Sequence, residues 1–486
     1  MSFSRLLEII HGTTPIADWA KANKTAFEDL FGERYKKGAE KAIKLRAPEM
    51  APPGVPFAAY ISFNNPDSGA YGGLSFVIFP IQDGPCLIGL VVGTQGLADD
   101  AAVLGRPGHA RKTRTICAWL NDAYGKGSMV AWAKHDPTRI DVDIPREITN
   151  HWGAYESIFE RYGKVIYAAF CPTDDPRATE AALTAFLDLL FEERGFQPVA
   201  GHKKSAESVQ ASWFKYLLPP IEQKQVEDLL QRRRFVIIQG PPGTGKTRIA
   251  RQILSEAYKD RGRTIQFHPN TTYETFIGGL APVDSHEALG LRFKPVPGQL
   301  MEAAAQAQRD PSRNYLLHID EVNRADLSKI LGEAIYLLEP TDPDRRISLP
   351  YDFGEPFHRD LQLPQNLHIL GTMNSSDRSI AIVDVAVRRR FAFLTLMPQF
   401  SVVEELACQT MKDQFRELVS IFVEHAPDDA FALMPGHSYF LEDNEAHAKE
   451  NLQVNLVPLL EEYLAQGYVG GFAEPIRAYL QRIAAL

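Results

Sequence analysis

The sequence predicts an α/β core built on a parallel sheet, followed by an all-helical region and preceded by a separate α+β domain. Three observations support this. From Phe235 onward the chain runs strand, glycine-rich loop, helix, strand, the order of a parallel sheet with crossover helices. After residue 400 apolar residues recur at helical spacing. Before residue 200 short apolar or alternating runs are separated by Gly- and Asp-bearing turns, and all five tryptophans fall before residue 214.

A chain of 486 residues exceeds what one hydrophobic core organises. The expected division is an α+β domain over 1–198, a linker over 199–214, an α/β core over 215–399 and a helical lid over 400–486. The formal net charge of -9 argues against coating nucleic acid by bulk electrostatics, so any such contact must be local. Cys86, Cys117, Cys171 and Cys408 share no ligand spacing and form neither a zinc motif nor a disulfide framework. They read as buried thiols of a reducing compartment. The first residues lack the pattern of a signal peptide, and the apolar run 86–93 is too short to span a bilayer. A soluble, cytoplasmic protein with no membrane partner is expected.

Residues 1–46 carry helical periodicity, which Pro48, Pro52, Pro53 and Pro56 bring to an end. The runs 58–63, 74–79 and 86–92 read as antiparallel strands, 129–132 and 165–170 as a second strand pair, and 177–193 as a closing helix. The polar stretch 199–212 reads as an exposed linker. Arg34, Lys37, Lys41 and Lys44 fall at helical spacing on one face, and Arg106, Arg111, Lys112 and Arg114 crowd a Gly/Pro loop with no acidic neighbour. Each cluster reads either as a nucleic-acid contact or as solvated surface. Trp119, Trp132 and Trp152 read either as core or as walls of a pocket that stacks a flipped base.

The chemistry lies between about 235 and 391. The β-branched strand at Phe235 runs straight into Gly240, Pro241, Pro242, Gly243, Thr244, Gly245, Lys246, Thr247 and Arg248. The glycines let successive backbone N–H groups turn inward around the phosphates of ATP or GTP at the positive end of a helix. Lys246 supplies a point charge and Thr247 ligates Mg²⁺. The strand 315–319 ends in Asp320, which can hold Mg²⁺ through water, and Glu321, which can polarise the attacking water. A third strand, 367–370, leads to Asn374, which reads either as a sensor of the γ-phosphate and water or as a turn-stabilising residue. Past it stand Arg388, Arg389 and Arg390. A guanidinium delivered by a neighbouring subunit adds roughly 10³ to 10⁵ to hydrolysis, because it neutralises charge that develops only in the transition state. That role requires a ring; a solvated basic turn is the alternative.

These motifs resemble AAA+ P-loop NTPases with a parallel sheet and a C-terminal helical lid. Four longer stretches, 267–277, 319–329, 371–379 and 436–440, look like the McrB family, and the resemblance covers roughly 230–445. McrB-type proteins are the NTPase motors of modification-dependent (type IV) restriction systems. The resemblance implies a hexameric ring, DNA translocation, an N-terminal reader of target DNA and a separate McrC-like nuclease subunit. It implies that Asn323 and Asp377 join Asp320, Glu321 and Asn374 in a hydrogen-bonded array that places the water. It further implies a helix insert over 280–300 and a hairpin over 346–363. Ser375 and Ser376 stand where the family often shows Thr and Ala. Known members prefer GTP, whereas most AAA+ proteins use ATP. A restriction motor in antiviral defence is the first reading, a MoxR-like remodelling chaperone with a protein client the rival, and a slow nucleotide switch the third.

Overall fold

Aliphatic and β-branched runs supply the strands of two separate large sheets. The computed structural model describes every residue except 1–2, 13–15, 36–43, 47–58, 63–73, 82–83, 94–100, 194, 285–290 and 377–383. The chain divides into two units, Met1–Leu218 with Val423–Ala426, and Pro219–Phe422 with Pro427–Leu486.

In the first unit α1 (Ser4–His11) and α2 (Ile16–Arg34) precede six strands: β1 (Lys44–Arg46), β2 (Ala59–Ser62), β3 (Ser75–Phe79), β4 (Leu87–Val91), β5 (Ala131–Ala133) and β6 (Ile166–Phe170). They form one antiparallel sheet in the order β1-β2-β3-β4-β6-β5. The strand pair expected near 129 and 165 thus joins the first three strands through β4 and β6. Every residue of β3, β4 and β6 is buried, as happens in an antiparallel sheet only when both faces are covered. The helices α3 (Pro107–Tyr124), α4 (Pro176–Glu192) and α5 (Ala200–Leu217) pack on one another, and α3 also packs on β5. Helix α4 begins where its sequence dictates: the Asp175 side chain accepts from the Arg177 amide, and Pro176 occupies the first turn.

Three expectations for this unit are corrected. Residues 200–217 form a helix that buries Trp213 and Leu217, so the exposed stretch expected as a linker over 199–214 is helical. Arg111, Lys112 and Arg114 lie on α3, where Pro107 starts the helix. Lys112 is buried against Glu193 at 2.9 Å, and Glu193 also meets His109 at 2.5 Å, so an acidic neighbour absent from the local sequence arrives from the end of α4. Arg34 is likewise buried: its guanidinium donates to both oxygens of Asp188, which also accepts from the Tyr35 hydroxyl at 2.7 Å. Lys37 and Lys41 lie outside the described residues, and Lys44 is on a strand, not on a helix face shared with Arg34. Trp119 and Trp152 are core residues, and the Trp152 indole donates to the Met129 carbonyl.

The second unit opens with α6 (Gln223–Arg233), β7 (Phe235–Gly240), α7 (Lys246–Glu256), β8 (Gly262–Gln266) and α8 (Tyr273–Phe276). A ribbon of β9 (Gly278–Asp284) and β10 (Leu291–Pro297) follows, then α9 (Gln299–Gln308) and β11 (Tyr315–Asp320). This ribbon replaces the helix insert expected over 280–300. Pro282, Pro295 and Pro297 lack the amide donors a helix interior needs, whereas the edges of an isolated two-stranded ribbon tolerate them. The hairpin expected over 346–363 is present as β12 (Ile347–Ser348) paired with β13 (Asp360–Leu361). Then come β14 (Leu367–Asn374), α10 (Val385–Arg390) and β15 (Ala392–Thr395).

The five large-sheet strands are all parallel, in the order β15-β7-β14-β11-β8. In such a sheet ligands bind outside the carboxyl ends of the strands. Here β14 lies between β7 and β11, with Asn374 level with Gly240 and Gly371 level with Ile319. Register alone therefore brings the ends of three strands to one place. The lid is helical: α11 (Phe400–Leu406), α12 (Gln409–His425), α13 (Val457–Ala465) and α14 (Ala473–Ala485), with Phe400, Phe415 and Phe440 stacked edge to face. No helix of the described residues is long and apolar enough to cross a membrane.

Candidate active site

Strand β7 ends at Gly240, and the loop after it turns into α7 through Gly243 at φ 77° and Gly245 at φ 85°. Those left-handed angles are open to glycine and strained for side chains with a Cβ, and they turn the amides of the loop inward at the N-terminus of α7. Buried Thr244 closes the loop by donating to the Pro241 carbonyl at 3.0 Å. The Lys246 side chain folds over the same turn, its Nζ 3.0 Å from the Gly240 carbonyl and 2.7 Å from that of Pro241. Burial lowers its pKa to about 8, while the carboxylates of Glu321 and Asp320 pull it upward.

Asp320, at the end of β11, accepts from Thr247 at 3.0 Å and from the Thr372 hydroxyl. Glu321 follows at φ 57°, a left-handed conformation that takes its carboxylate out of the strand direction. Its Oε1 accepts from Asn374 Nδ2 at 2.8 Å, and Arg324 lies 3.7 Å from Oε2. Asn323, buried, donates to the Asn374 carbonyl at 3.1 Å. Lys246, Thr247, Asp320, Glu321, Asn323 and Asn374 thus share one site. Asp377 lies outside the described residues.

The arginines stand elsewhere on this unit. Helix α10, capped by Asp384, exposes Arg388 and Arg389. The Arg388 guanidinium lies over the Phe393 ring at 5.2 Å, and Arg390 turns back to the Ala386 carbonyl. Among the described residues neither Arg388 nor Arg389 is engaged by a hydrogen bond or an ion pair.

Comparison with known proteins follows the same outline. A profile of the AAA domain (dynein-related subfamily) matches residues 235–391. The chain is 30% identical over 367 residues to the type IV methyl-directed restriction enzyme EcoKMcrB subunit of Escherichia coli (strain K12), covering 68% of this chain and 77% of that protein. This chain belongs to the McrB family. It is also 27% identical over 190 residues to the type II restriction enzyme BsuMI component YdiS of Bacillus subtilis (strain 168), covering 32% of this chain and 55% of that one. A crystal structure of NtrX from Brucella abortus in complex with ADP aligns at a TM-score of 0.25 with 11% identity, over 50% of this chain and 53% of that chain.

As an McrB-family AAA+ protein the chain is a P-loop NTPase. The donor set suits Mg²⁺, which keeps several waters and takes few protein oxygens: Thr247 and Asp320 present a hydroxyl and a carboxylate 3.0 Å apart beside the phosphate loop. A Mg²⁺ held there would neutralise phosphate charge. Sequence reasoning missed two partners of this site. Thr372 was legible two residues before Asn374, facing Asp320 across the register of β11 and β14. The second is the lid segment Gly436–Tyr439, flagged only as a family resemblance. Gly436 N–H donates to the Pro242 carbonyl at 2.9 Å and Ser438 N–H to that of Gly243 at 3.0 Å, so the lid is hydrogen-bonded to the McrB-family P-loop backbone.

Proposed function

We propose that this chain is the motor subunit of a modification-dependent restriction complex. It binds ATP or GTP with Mg²⁺ on residues 240–248 and hydrolyses it with Glu321 as the water-polarising base. The observation that carries this reading is the hydrogen bond from Asn374 to Glu321 beside the Thr247–Asp320 pair, which fixes a carboxylate one residue from the metal-side aspartate. Lys246 offers its charge to the β- and γ-phosphates. Asn323 positions Asn374, and Asp377 belongs to the same array on family resemblance.

Exposed Arg388 and Arg389 support a hexameric ring in which each protomer completes its neighbour's site. The first unit is assigned the reading of target DNA, and an McrC-like nuclease supplies the cut. The restriction subunits among the relatives favour this role over a remodelling chaperone.

The test is hydrolysis of ATP and of GTP by the full chain with Mg²⁺, with and without the companion nuclease and modified DNA. Stimulation by nuclease, with DNA binding that weakens steeply as salt rises, supports the proposal. Salt-insensitive binding of a protein client and none of DNA would overturn it.

A further inference from the structure

His437 sits on the lid next to Gly436, the point of closest approach to the P-loop. A methyl group on Gly436 would lie 2.1 Å from the Gly243 carbonyl carbon and 2.5 Å from the Thr244 nitrogen, so the two backbones are in direct contact. The imidazole beside them is only 8% exposed. Its Nδ1 accepts the backbone N–H of Gln399 at 3.3 Å, and a neutral ring that accepts at Nδ1 carries its proton on Nε2. Burial, with the Arg248 cation acting in the same direction, lowers its pKa to about 4, which keeps it neutral in ordinary buffers. Nε2 faces the loop: a methyl group on Gly245 would lie 3.7 Å from it, and among the described residues no protein atom accepts its proton.

We propose that His437 Nε2–H donates to the α/β-phosphate segment of a nucleoside di- or triphosphate seated on the P-loop, so that the lid holds nucleotide through an uncharged donor. The inference rests on the P-loop reading, because the amides from Gly243 to Thr247 are those that cradle the α- and β-phosphates. Cleavage at the γ-phosphorus leaves the bonding electrons on the β,γ-bridging oxygen, so charge grows on the β-phosphate, whereas a donor on the α-phosphate side of this segment meets nearly the same charge in substrate, transition state and product. The contact is therefore uniform binding: it lowers KM and the Kd for diphosphate together and leaves kcat alone.

The experiment uses the full chain, with a fluorescent nucleoside diphosphate for binding and steady-state triphosphate hydrolysis for turnover. His437→Ala is expected to raise Kd and KM by about tenfold, the value of one hydrogen bond to a charged group, with kcat within about twofold. His437→Gln, whose amide nitrogen reaches close to the Nε2 position, restores affinity. His437→Asn keeps an acceptor for the Gln399 amide but stops short of the loop, and does not. Restoration by Asn and not by Gln would reduce His437 to a lid lock and overturn the proposal, as would a fall in kcat at constant KM or an unchanged Kd in the alanine variant. Should the alanine variant fail to fold by melting temperature, the Gln and Asn pair decides. Lys246→Ala, measured alongside, reports on the P-loop reading itself; unchanged affinity there would sink that reading independently of His437.

Discussion

Asn374 holds Glu321. The amide at the end of β14 donates to Glu321 Oε1 at 2.8 Å, across the gap between two neighbouring strand ends. Glu321→Gln keeps the shape and the amide contact but removes the basic oxygen. We expect nucleotide binding within about threefold of wild type and turnover lower by about 10² to 10⁴, measured by single-turnover hydrolysis. Normal hydrolysis in this variant would remove Glu321 from its role.

Asn374→Ala frees the carboxylate without removing it. Turnover is expected to fall by about 10², because a base displaced by an ångström is poorly placed to take the proton. A loss confined to nucleotide affinity would point instead to a phosphate contact.

Lys246 gives the site a pH dependence. Its ammonium has an ordinary pKa of 10.5, lowered to about 8 in the folded protein chiefly by burial. Below pH 8 the amine is charged and ready for phosphate. Above it the amine is neutral and must take up a proton on binding, so nucleotide affinity weakens by up to about tenfold per pH unit. The stability of the nucleotide-free protein moves the other way. Between about pH 8 and 10.5 the unfolded chain binds more protons at this residue, so the desolvation penalty is fully present below 8 and is relieved as pH rises through that window. Titration calorimetry from pH 7 to 9.5 measures the first effect, and a flat affinity profile would contradict it.

How much of this site was legible in the sequence depended on whether its cause was local. Strands β7, β11 and β14 are short, mostly apolar runs rich in Ile, Leu and Val, and Gly243, Gly245, Lys246 and Thr247 carry their geometry in their residue types. Helix α3 was not legible: Pro107, Gly108 and its basic residues imitate a loop, and the carboxylates beside Lys112 come from distant sequence, among them Glu193 at the C-cap of α4. The β9–β10 ribbon was hidden by family expectation, although its three prolines argued against a helix. His437 was legible only as part of the family-like stretch 436–440, since its role comes from a lid that folds back on the P-loop.

Gly436 tests that docking. Its φ of -71° suits any residue, so only space forbids a side chain. Gly436→Ala would push the Gly243 and Gly436 backbones apart, and overpacking of this kind costs about 1–3 kcal/mol. Thermal unfolding should show a lower Tm and a smaller rise on adding nucleotide. An unchanged Tm with full nucleotide stabilisation would mean that the lid need not touch the loop.

Asp188 is the most consequential acid of the first unit, because it neutralises a guanidinium buried to 2% side-chain exposure. Asp188→Ala leaves Arg34 charged, buried and without its carboxylate, a loss of about 3–5 kcal/mol. Every tryptophan precedes residue 214, so tryptophan fluorescence in denaturant follows this unit selectively. A midpoint equal to wild type would show that Arg34 finds another partner.

The most direct test of the account mixes two crippled proteins. One carries Arg388→Ala and Arg389→Ala with Glu321 intact; the other carries Glu321→Gln with both arginines intact. If an arginine of one protomer completes the nucleotide site of the next, each is nearly inactive alone and the mixture regains hydrolysis well above the sum of its parts. A mixture that stays at that sum, or an arginine variant that hydrolyses at the wild-type rate by itself, would contradict it.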